Sequence, residues 1–176
     1  ERLITDYSQM LKDEVALSKE QMKIVDLKIV IKSVVDDFNS IYETKRGIKI
    51  EFIDKENKEQ CLILGIENRI AQIVANLLDN SISFSLNNQK ILVEIYKSKN
   101  SQITLKIIDE GHGFKEVDTN KIFKRFYSNR PDKFGEHSGL GLNIVKNLVE
   151  LHEGSINAFN RENSLGAIIE INFPKA

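Results

Sequence analysis

Two asparagines one helical turn apart, Asn76 and Asn80, have the type and spacing of residues that do chemistry, and Ser83 follows three positions later. Asparagine is a poor choice inside a helix because its side chain competes for backbone hydrogen bonds. Its amide oxygen is a neutral hard ligand that suits Mg²⁺, which takes one or two protein groups and completes its shell with phosphates and water. The pattern predicts either a magnesium site or a polar helix face in solvent, and these residues alone leave both open.

A carboxylate follows an apolar run at Asp109, with Gly111 and Gly113 directly behind it. A carboxylate in that place can accept a hydrogen bond from the exocyclic amine of adenine, and glycines let the backbone approach a flat base. Aspartate and glycine after a strand are also ordinary turn residues. Taken alone, the turn is the simpler interpretation of this segment.

A glycine-rich entry into a helix comes next, at Ser138-Gly139-Leu140-Gly141-Leu142. Free amides and the positive end of the helix dipole make such an entry suitable for phosphate. It is not a P-loop, because no Gly-Lys-Ser/Thr follows, and it is not a dinucleotide fingerprint, because the third glycine is missing. Close packing at the start of the helix is the alternative explanation for these glycines.

The segment 109–138 has no sustained helical or strand period, and a loop of that length inside a domain is usually functional. It carries six cations that suit a triphosphate, although a solvated charged loop is the ordinary alternative. Its cations are Lys115, Lys121, Lys124, Arg125, Arg130 and Lys133, against acids that include Glu116, Asp118 and Asp132.

Hydrophobic periodicity predicts the elements that position these residues. Helical periods cover residues 1–22, the stretch that follows an N-cap candidate at Asp26, and residues 66–86 and 141–152. Strands are predicted at 47–53, 61–64, 91–96, 103–108, 155–159 and 167–173. This order predicts an α/β two-layer sandwich, in which a mixed β-sheet is covered by helices on one face and preceded by an amphipathic helix.

Composition limits the function classes. The 176 residues are 41% hydrophobic and 29% charged, as in one globular domain with an appendage. A net charge of -1 gives no global field that would draw nucleic acid or acidic lipid. The single cysteine, Cys61, excludes an intramolecular disulfide and favours a reducing compartment. No apolar run has the length of a membrane span, and the chain begins inside a helical pattern, so we expect a cytoplasmic piece of a longer protein.

The order of the motifs is more specific than any one of them. It resembles the N, G1, F and G2 boxes of sensor histidine kinases, which belong to the ATPase group that includes DNA gyrase and the Hsp90 chaperones. The matching motifs are Asn76-x-x-x-Asn80, Asp109-x-Gly111-x-Gly113, Phe123-x-x-Phe126 and Gly139-x-Gly141, and Gly166-Ala167 resembles the last glycine box of the family. The resemblance covers about residues 17–174 and implies the Bergerat ATP-binding fold. The segment 122–135 is further similar to the lid of the ChvG-like kinases of alphaproteobacteria.

The resemblance implies that ATP and Mg²⁺ are the cofactors and gives each matching residue a role. Asn80 would hold the Mg²⁺ with Asn76 in support, Asp109 would recognise adenine, and Arg125 would act with the two asparagines in catalysis. The other residues of the implied ATP site shape the pocket, contact phosphate, or hinge and anchor the lid. They are Ser83, Gly111, Gly113, Phe123, Phe126, Arg130, Ser138, Gly139, Leu140, Gly141 and Leu142.

Two positions bear on the reaction. Many family members have a lysine at the position of Ser83, where it helps to neutralise phosphate, so the affinity for ATP is in question. The hydrolysing relatives place a glutamate base at the position of Asn76, and an amide cannot take a proton from water. Phosphoryl transfer to a protein side chain is therefore favoured over hydrolysis.

The resemblance also implies an acceptor histidine on the first helix of a dimerising hairpin, of which residues 1–22 look like the second helix. The three histidines of this chain, His112, His137 and His152, lie elsewhere. We therefore divide the chain into 1–24, the end of the hairpin, and 25–176, the ATP-binding catalytic domain. This fragment alone is not expected to autophosphorylate.

The partners implied for the full-length protein are a second copy, bound through the hairpin, and the receiver domain of a response regulator, with no nucleic acid. The resemblance also implies an anchor in the bacterial inner membrane. Two alternatives stay open. One is another ATPase or serine kinase of the same group, and the other is a degenerate nucleotide-binding regulatory module.

Overall fold

The computed structural model describes residues 21–115, 118–124 and 141–176. The strands in these ranges are β1 (Lys23–Asp26), β2 (Lys49–Asp54), β3 (Leu62–Gly65), β4 (Lys90–Ser98), β5 (Gln102–Ile108), β6 (Ser155–Asn160) and β7 (Ala167–Pro174). The helices are α1 (Leu27–Arg46), α2 (Glu67–Phe84) and α3 (Gly141–Leu151), with a short 3₁₀-helix at Thr119–Phe123. Among these described helices, none is long and apolar enough to span a bilayer.

Five strands form a mixed sheet in the order β2-β4-β5-β7-β6. Strand β2 runs parallel to β4, and the other neighbours are antiparallel. Alternate residues of the strands point to one face, where they form a continuous core with the apolar sides of the helices. The predicted two-layer α/β sandwich is confirmed, and the helices and strands predicted from residue 26 onward lie within a few residues of those observed.

Helix α1 begins and ends where the sequence provides caps. The Asp26 side chain accepts a hydrogen bond from the backbone N–H of Lys28, which satisfies a free donor of the first turn. Gly47 ends the helix in the left-handed conformation, with φ of 63°, and a Cβ there would lie 2.1 Å from Asn88 Oδ1. In the last turn, Arg46 donates to the carbonyls of Ile82 and Ser85, so that the C-terminal ends of α1 and α2 are joined.

Strand β1 is a feature that the sequence analysis did not predict. It pairs antiparallel with β3, and Ile24 lies opposite Leu64. Four residues are too short for an alternating pattern to be distinguished from the helical periods on either side. The boundary predicted between residues 24 and 25 falls inside this strand. Residues 1–20 of the predicted first helix lie outside the described residues.

A buried histidine joins α2 and α3. His152 is 4% exposed and directly follows α3. Its Nε2 accepts a hydrogen bond at 3.1 Å from the backbone N–H of Ile66, which is the residue before α2. Its Nδ1 lies 2.7 Å from the carbonyl of Leu148. Because an N–H can only donate, the ring proton is assigned to Nδ1, which donates to that carbonyl. The ring therefore links the C-terminal end of α3 to the residue before α2.

The edge strand β2 is paired with a side chain. Asn39 on α1 donates from Nδ2 to the carbonyl of Ile50, and its Oδ1 accepts the N–H of the same residue, both at 2.8 Å. One amide therefore satisfies both outward backbone groups of Ile50.

Candidate functional site

Strand β5 ends at Ile108, so the carboxylate of Asp109 lies directly after the end of the strand. Asp109 is 4% exposed, and its Oδ1 accepts two hydrogen bonds, from the N–H of Gly111 at 3.0 Å and of Ala167 at 3.1 Å. Within the described ranges no hydrogen bond reaches Oδ2. Burial raises the pKa of Asp109, and the two N–H donors partly oppose that rise. Asp109 therefore presents one fixed oxygen that is free to accept a hydrogen bond.

The glycines behind Asp109 are needed because other parts of the protein come close. A Cβ on Gly111 would lie 2.6 Å from the carbonyl oxygen of Phe84, the last residue of α2. Gly113 has φ of 79°, and a Cβ there would lie 2.7 Å from Asn160 Oδ1. Because glycine has no side chain, neither residue clashes with these neighbouring atoms. The loop that follows Asp109 can therefore pack against α2 on one side and β6 on the other.

The turn between β6 and β7 holds this loop from outside. Gly166 has φ of 135°, and a Cβ there would lie 2.0 Å from the carbonyl oxygen of Asp109. Arg161 donates to the same carbonyl at 3.4 Å, and Asn160 bonds to both backbone groups of Phe114. The sequence analysis singled out Gly166-Ala167 but missed Asn160 and Arg161, because a polar pair at the end of a strand is typical of any turn.

The polar positions of α2 are buried. Asn80 and Ser83 are each 6% exposed, and Asn76 is half-buried. Ser83 Oγ donates to the backbone carbonyl of Asn80 at 2.8 Å, so its hydroxyl satisfies the helix rather than projecting from it. A solvent-exposed position is therefore wrong for Asn80 and Ser83, whereas the half-buried Asn76 leaves that alternative open. The predicted apolar face is confirmed, since its members are at most 1% exposed; they are Ile70, Ile73, Val74, Leu77 and Leu78.

Helix α2 and the Asp109 loop lie side by side. Besides the contact between Gly111 and Phe84, Gln89 donates to the carbonyl of Glu110 at 3.1 Å, and Glu110 accepts the N–H of Lys90. The described ranges contain no group of three or more His, Cys, Asp or Glu that could hold a metal ion. A metal at this place would therefore need ligands of another kind, such as amide oxygens and phosphates.

The described residues on either side of the segment 125–140 are attached to the core. Phe123 is 3% exposed, and its carbonyl accepts a hydrogen bond from Asn143 at 3.0 Å in the first turns of α3. Thr119 donates to the carbonyl of Ala158 at 2.9 Å, which fixes the 3₁₀-helix to β6. Gly141 begins α3, and none of the described atoms lies within 4 Å of a Cβ built there, so close packing against the described residues does not explain that glycine.

Leu142 packs against the core as a half-buried residue. Six of the predicted site residues lie outside the described residues: Arg125, Phe126, Arg130, Ser138, Gly139 and Leu140.

Comparison with known proteins assigns the fold. A family model described as "Histidine kinase-, DNA gyrase B-, and HSP90-like ATPase" matches residues 65–176. The sensor protein ChvG of Agrobacterium fabrum is 33% identical over 174 residues, which cover 96% of this chain and 29% of that protein. The chain thus spans less than a third of the length of this curated relative.

Two solved structures are similar throughout. The catalytic domain of histidine kinase ThkA superposes with a TM-score of 0.75 at 25% identity, covering 89% of this chain and 97% of that one. The complex of ThkA with response regulator protein TrrA has a TM-score of 0.75 at 24% identity, covering 98% of this chain and 48% of that one. The chain therefore belongs to the family of histidine kinase-, DNA gyrase B- and HSP90-like ATPases, and within it to the sensor histidine kinases.

Proposed function

We propose that the chain from β1 onward is the catalytic domain of a sensor histidine kinase, which binds Mg-ATP and transfers the γ-phosphate to a histidine of a dimerisation hairpin. The observation that carries the proposal is the buried Asp109, with one oxygen held by two backbone N–H groups. Its other oxygen would accept the exocyclic amine of adenine, because a fixed acceptor in a buried site discriminates strongly for a donor.

The amides of α2 suit the metal that such a site needs. Asn80 would bind Mg²⁺ through its side-chain oxygen, with Asn76 one turn away in support, and the phosphates and water would supply the other ligands. Bound Mg²⁺ would neutralise charge that develops on the transferred group. Ser83 would support the backbone of Asn80, because its hydroxyl donates to the carbonyl of that residue. Since the hydroxyl is neutral, it would add no positive charge to the phosphate site.

The glycine entry and the cations of the segment 109–138 would form the phosphate end of the site. Gly141 would expose the free amides at the start of α3, with Leu142 holding the helix in the core. Phe123, with its buried ring, would anchor the segment, and Phe126 would do so with it. Arg125 and Arg130 would reach the triphosphate, Gly139 and Gly141 would hinge the lid, and Ser138 and Leu140 would complete the ATP site.

Transfer is favoured over hydrolysis because of the residue type at position 76. Asn76 occupies the position of the glutamate in the hydrolysing relatives, and its amide cannot accept the proton. Catalysis would then rest on positioning the γ-phosphate for an incoming histidine and on neutralising its charge.

The partners of the full-length protein are part of the same proposal. The residues that precede β1 would be the end of the second helix of the hairpin, through which two copies would dimerise and place the acceptor histidine. The receiver domain of a response regulator would take the phosphate; the histidine kinase ThkA, which is similar to this chain, forms a complex with the response regulator protein TrrA. A cytoplasmic position and a membrane anchor for the intact protein belong to the proposal too.

Calorimetric titration with a non-hydrolysable ATP analogue, with and without Mg²⁺, tests the proposal. We expect binding that Mg²⁺ strengthens. Absence of binding under both conditions would make the chain a degenerate regulatory module. Brisk steady release of phosphate from ATP would instead favour a hydrolysing member of the ATPase group.

A further inference from the structure

Asn160, the last residue of β6, forms a two-point contact with the loop that follows Asp109. Its Oδ1 accepts the backbone N–H of Phe114 at 2.6 Å, and its Nδ2 donates to the carbonyl of Phe114 at 3.1 Å. The side chain therefore pairs with Phe114 as a neighbouring strand would, although no strand continues there. The close approach needs Gly113, whose Cβ would lie 2.7 Å from Asn160 Oδ1.

The turn between β6 and β7 also forms hydrogen bonds with Asp109, the first residue of the loop. The N–H and carbonyl of Ala167 pair with Asp109, and the carbonyl of Asp109 also accepts a hydrogen bond from Arg161. The loop 109–114 is thus fastened at its first residue by Arg161 and Ala167, and at its last residue by Asn160. Between these points Gly111 rests on the carbonyl of Phe84. The conformation that aims Oδ2 of Asp109 depends on both attachments.

We propose that Asn160 is a positioning residue of the nucleotide site, which acts through the backbone of Phe114 and Gly113 to hold the loop that carries Asp109. The inference rests on the proposed function, because it assigns the adenine end of the site to that loop. Only a side chain with an acceptor and a donor at this reach makes both bonds: aspartate keeps the acceptor alone, and alanine keeps neither.

The test compares Asn160→Ala and Asn160→Asp with Asn157→Ala, a matched control. Asn157 is an exposed asparagine of the same strand whose side chain points to the opposite face of the sheet. Calorimetry measures the affinity of each variant for ADP and for a non-hydrolysable ATP analogue, and thermal unfolding without nucleotide checks the fold. Hydrogen exchange at the Phe114 amide reports the attachment directly.

For Asn160→Ala we expect the affinity to fall about tenfold, in line with two lost hydrogen bonds. The fall should be the same factor for ADP and for the ATP analogue, because the adenine end is common to both. The affinity of Asn160→Asp should fall by less, and Asn157→Ala should bind both nucleotides with wild-type affinity. The Phe114 amide should exchange faster in Asn160→Ala while the unfolding temperature changes little.

Several results would overturn the inference. Wild-type affinity in Asn160→Ala would show that the attachment does not shape the site, even if Phe114 exchanges faster. A loss confined to the ATP analogue would move the effect to the phosphate end, and an equal loss in Asn157→Ala would make it non-specific. If the wild-type chain binds neither nucleotide, the proposed function itself fails, and that result is distinct from the others.

Discussion

Asp109 and Ala167 pair twice: Asp109 donates its backbone N–H to the carbonyl of Ala167 at 3.0 Å, and Ala167 donates its own N–H to Asp109 Oδ1 at 3.1 Å. Strand β7 therefore fixes which carboxylate oxygen faces the protein and which faces the site. A side chain that takes the place of Asp109 must present its acceptor to Ala167 and Gly111, since both of these are donors.

We expect Asp109→Asn to weaken ATP binding while the fold stays intact. The two N–H donors would hold the amide oxygen, so the NH₂ group would face the adenine amine, donor against donor. The loss should be about 1–3 kcal/mol, or roughly 5- to 150-fold in Kd. Titration calorimetry measures it, with circular dichroism as the check on folding. Wild-type affinity in a folded variant would refute the adenine assignment.

The raised pKa of Asp109 predicts a pH dependence of nucleotide binding. Because burial raises this pKa above that of the unfolded chain, the folded protein takes up the proton at higher pH, and at this residue acidification stabilises the fold. The same proton would sit on Oδ2 and convert the acceptor into a donor. We therefore expect ATP affinity to fall as the pH is lowered through the raised pKa, while the contribution of Asp109 to stability moves in the opposite direction.

The nucleotide phosphates titrate as well, so the measurement needs Asp109→Asn as its reference at each pH. The ratio of the two affinities isolates the carboxyl. A ratio that stays constant from neutral pH to the acid limit of folding would contradict the prediction.

For Asn80→Ala we expect a loss of affinity that is larger with Mg²⁺ than in the presence of a chelator, because the deleted group is the proposed metal ligand. Titrations of both kinds on the same preparation give the comparison, and thermal unfolding controls for the effect of removing a buried amide. Equal losses with and without metal would assign Asn80 a structural role.

His152→Ala should destabilise the domain by about 2–4 kcal/mol, since it removes a buried ring and leaves the N–H of Ile66 without its acceptor. Urea denaturation measures the free energy of unfolding. His112→Ala is the control, because His112 is exposed and should change stability by less than about 0.5 kcal/mol. Similar values for the two variants would exclude the proposed link between α2 and α3.

The isolated chain is expected to bind ATP without forming phosphohistidine. His152 is buried with both ring nitrogens engaged, and His112 lies in the Asp109 loop against Phe84. His137, outside the described residues, is the remaining candidate. Incubation with γ-labelled ATP, followed by separation of acid-labile from acid-stable label, gives the answer. Abundant acid-labile label on this chain would show that the acceptor has been misplaced, and addition of a hairpin with its histidine should restore transfer.

Periodicity predicted the large elements because their apolar faces are long. Helix α2 shows the limit of that reasoning: its apolar residues are buried as predicted, yet spacing alone could not tell whether Asn80 lies in solvent or in the interior. Burial depends on what other elements bring to that face. Strand β1 was missed because four residues carry too little pattern, and its pairing with β3 is set by tertiary contacts.

The residues of the candidate site also differ in how far the sequence could predict them. Asp109 was proposed because it stands in a motif whose order with the others resembles a known family, although taken alone it looked like a turn. Asn160 was missed because its partner, Phe114, lies 46 positions away and bonds through its backbone, which carries no side-chain signature. Contacts of that kind become visible only when the β6–β7 turn is seen folded over the loop.

The amide of Asn39 has a consequence for how the domain behaves among its copies. In a sheet of this order β2 has a free side, and an unpaired edge is a template on which another chain can add a strand and begin to aggregate. The groups of Ile50 that such a strand would need are already occupied by Asn39. The residue therefore blocks strand addition near the start of β2, and replacing it would expose the domain to intermolecular β-pairing without touching its interior.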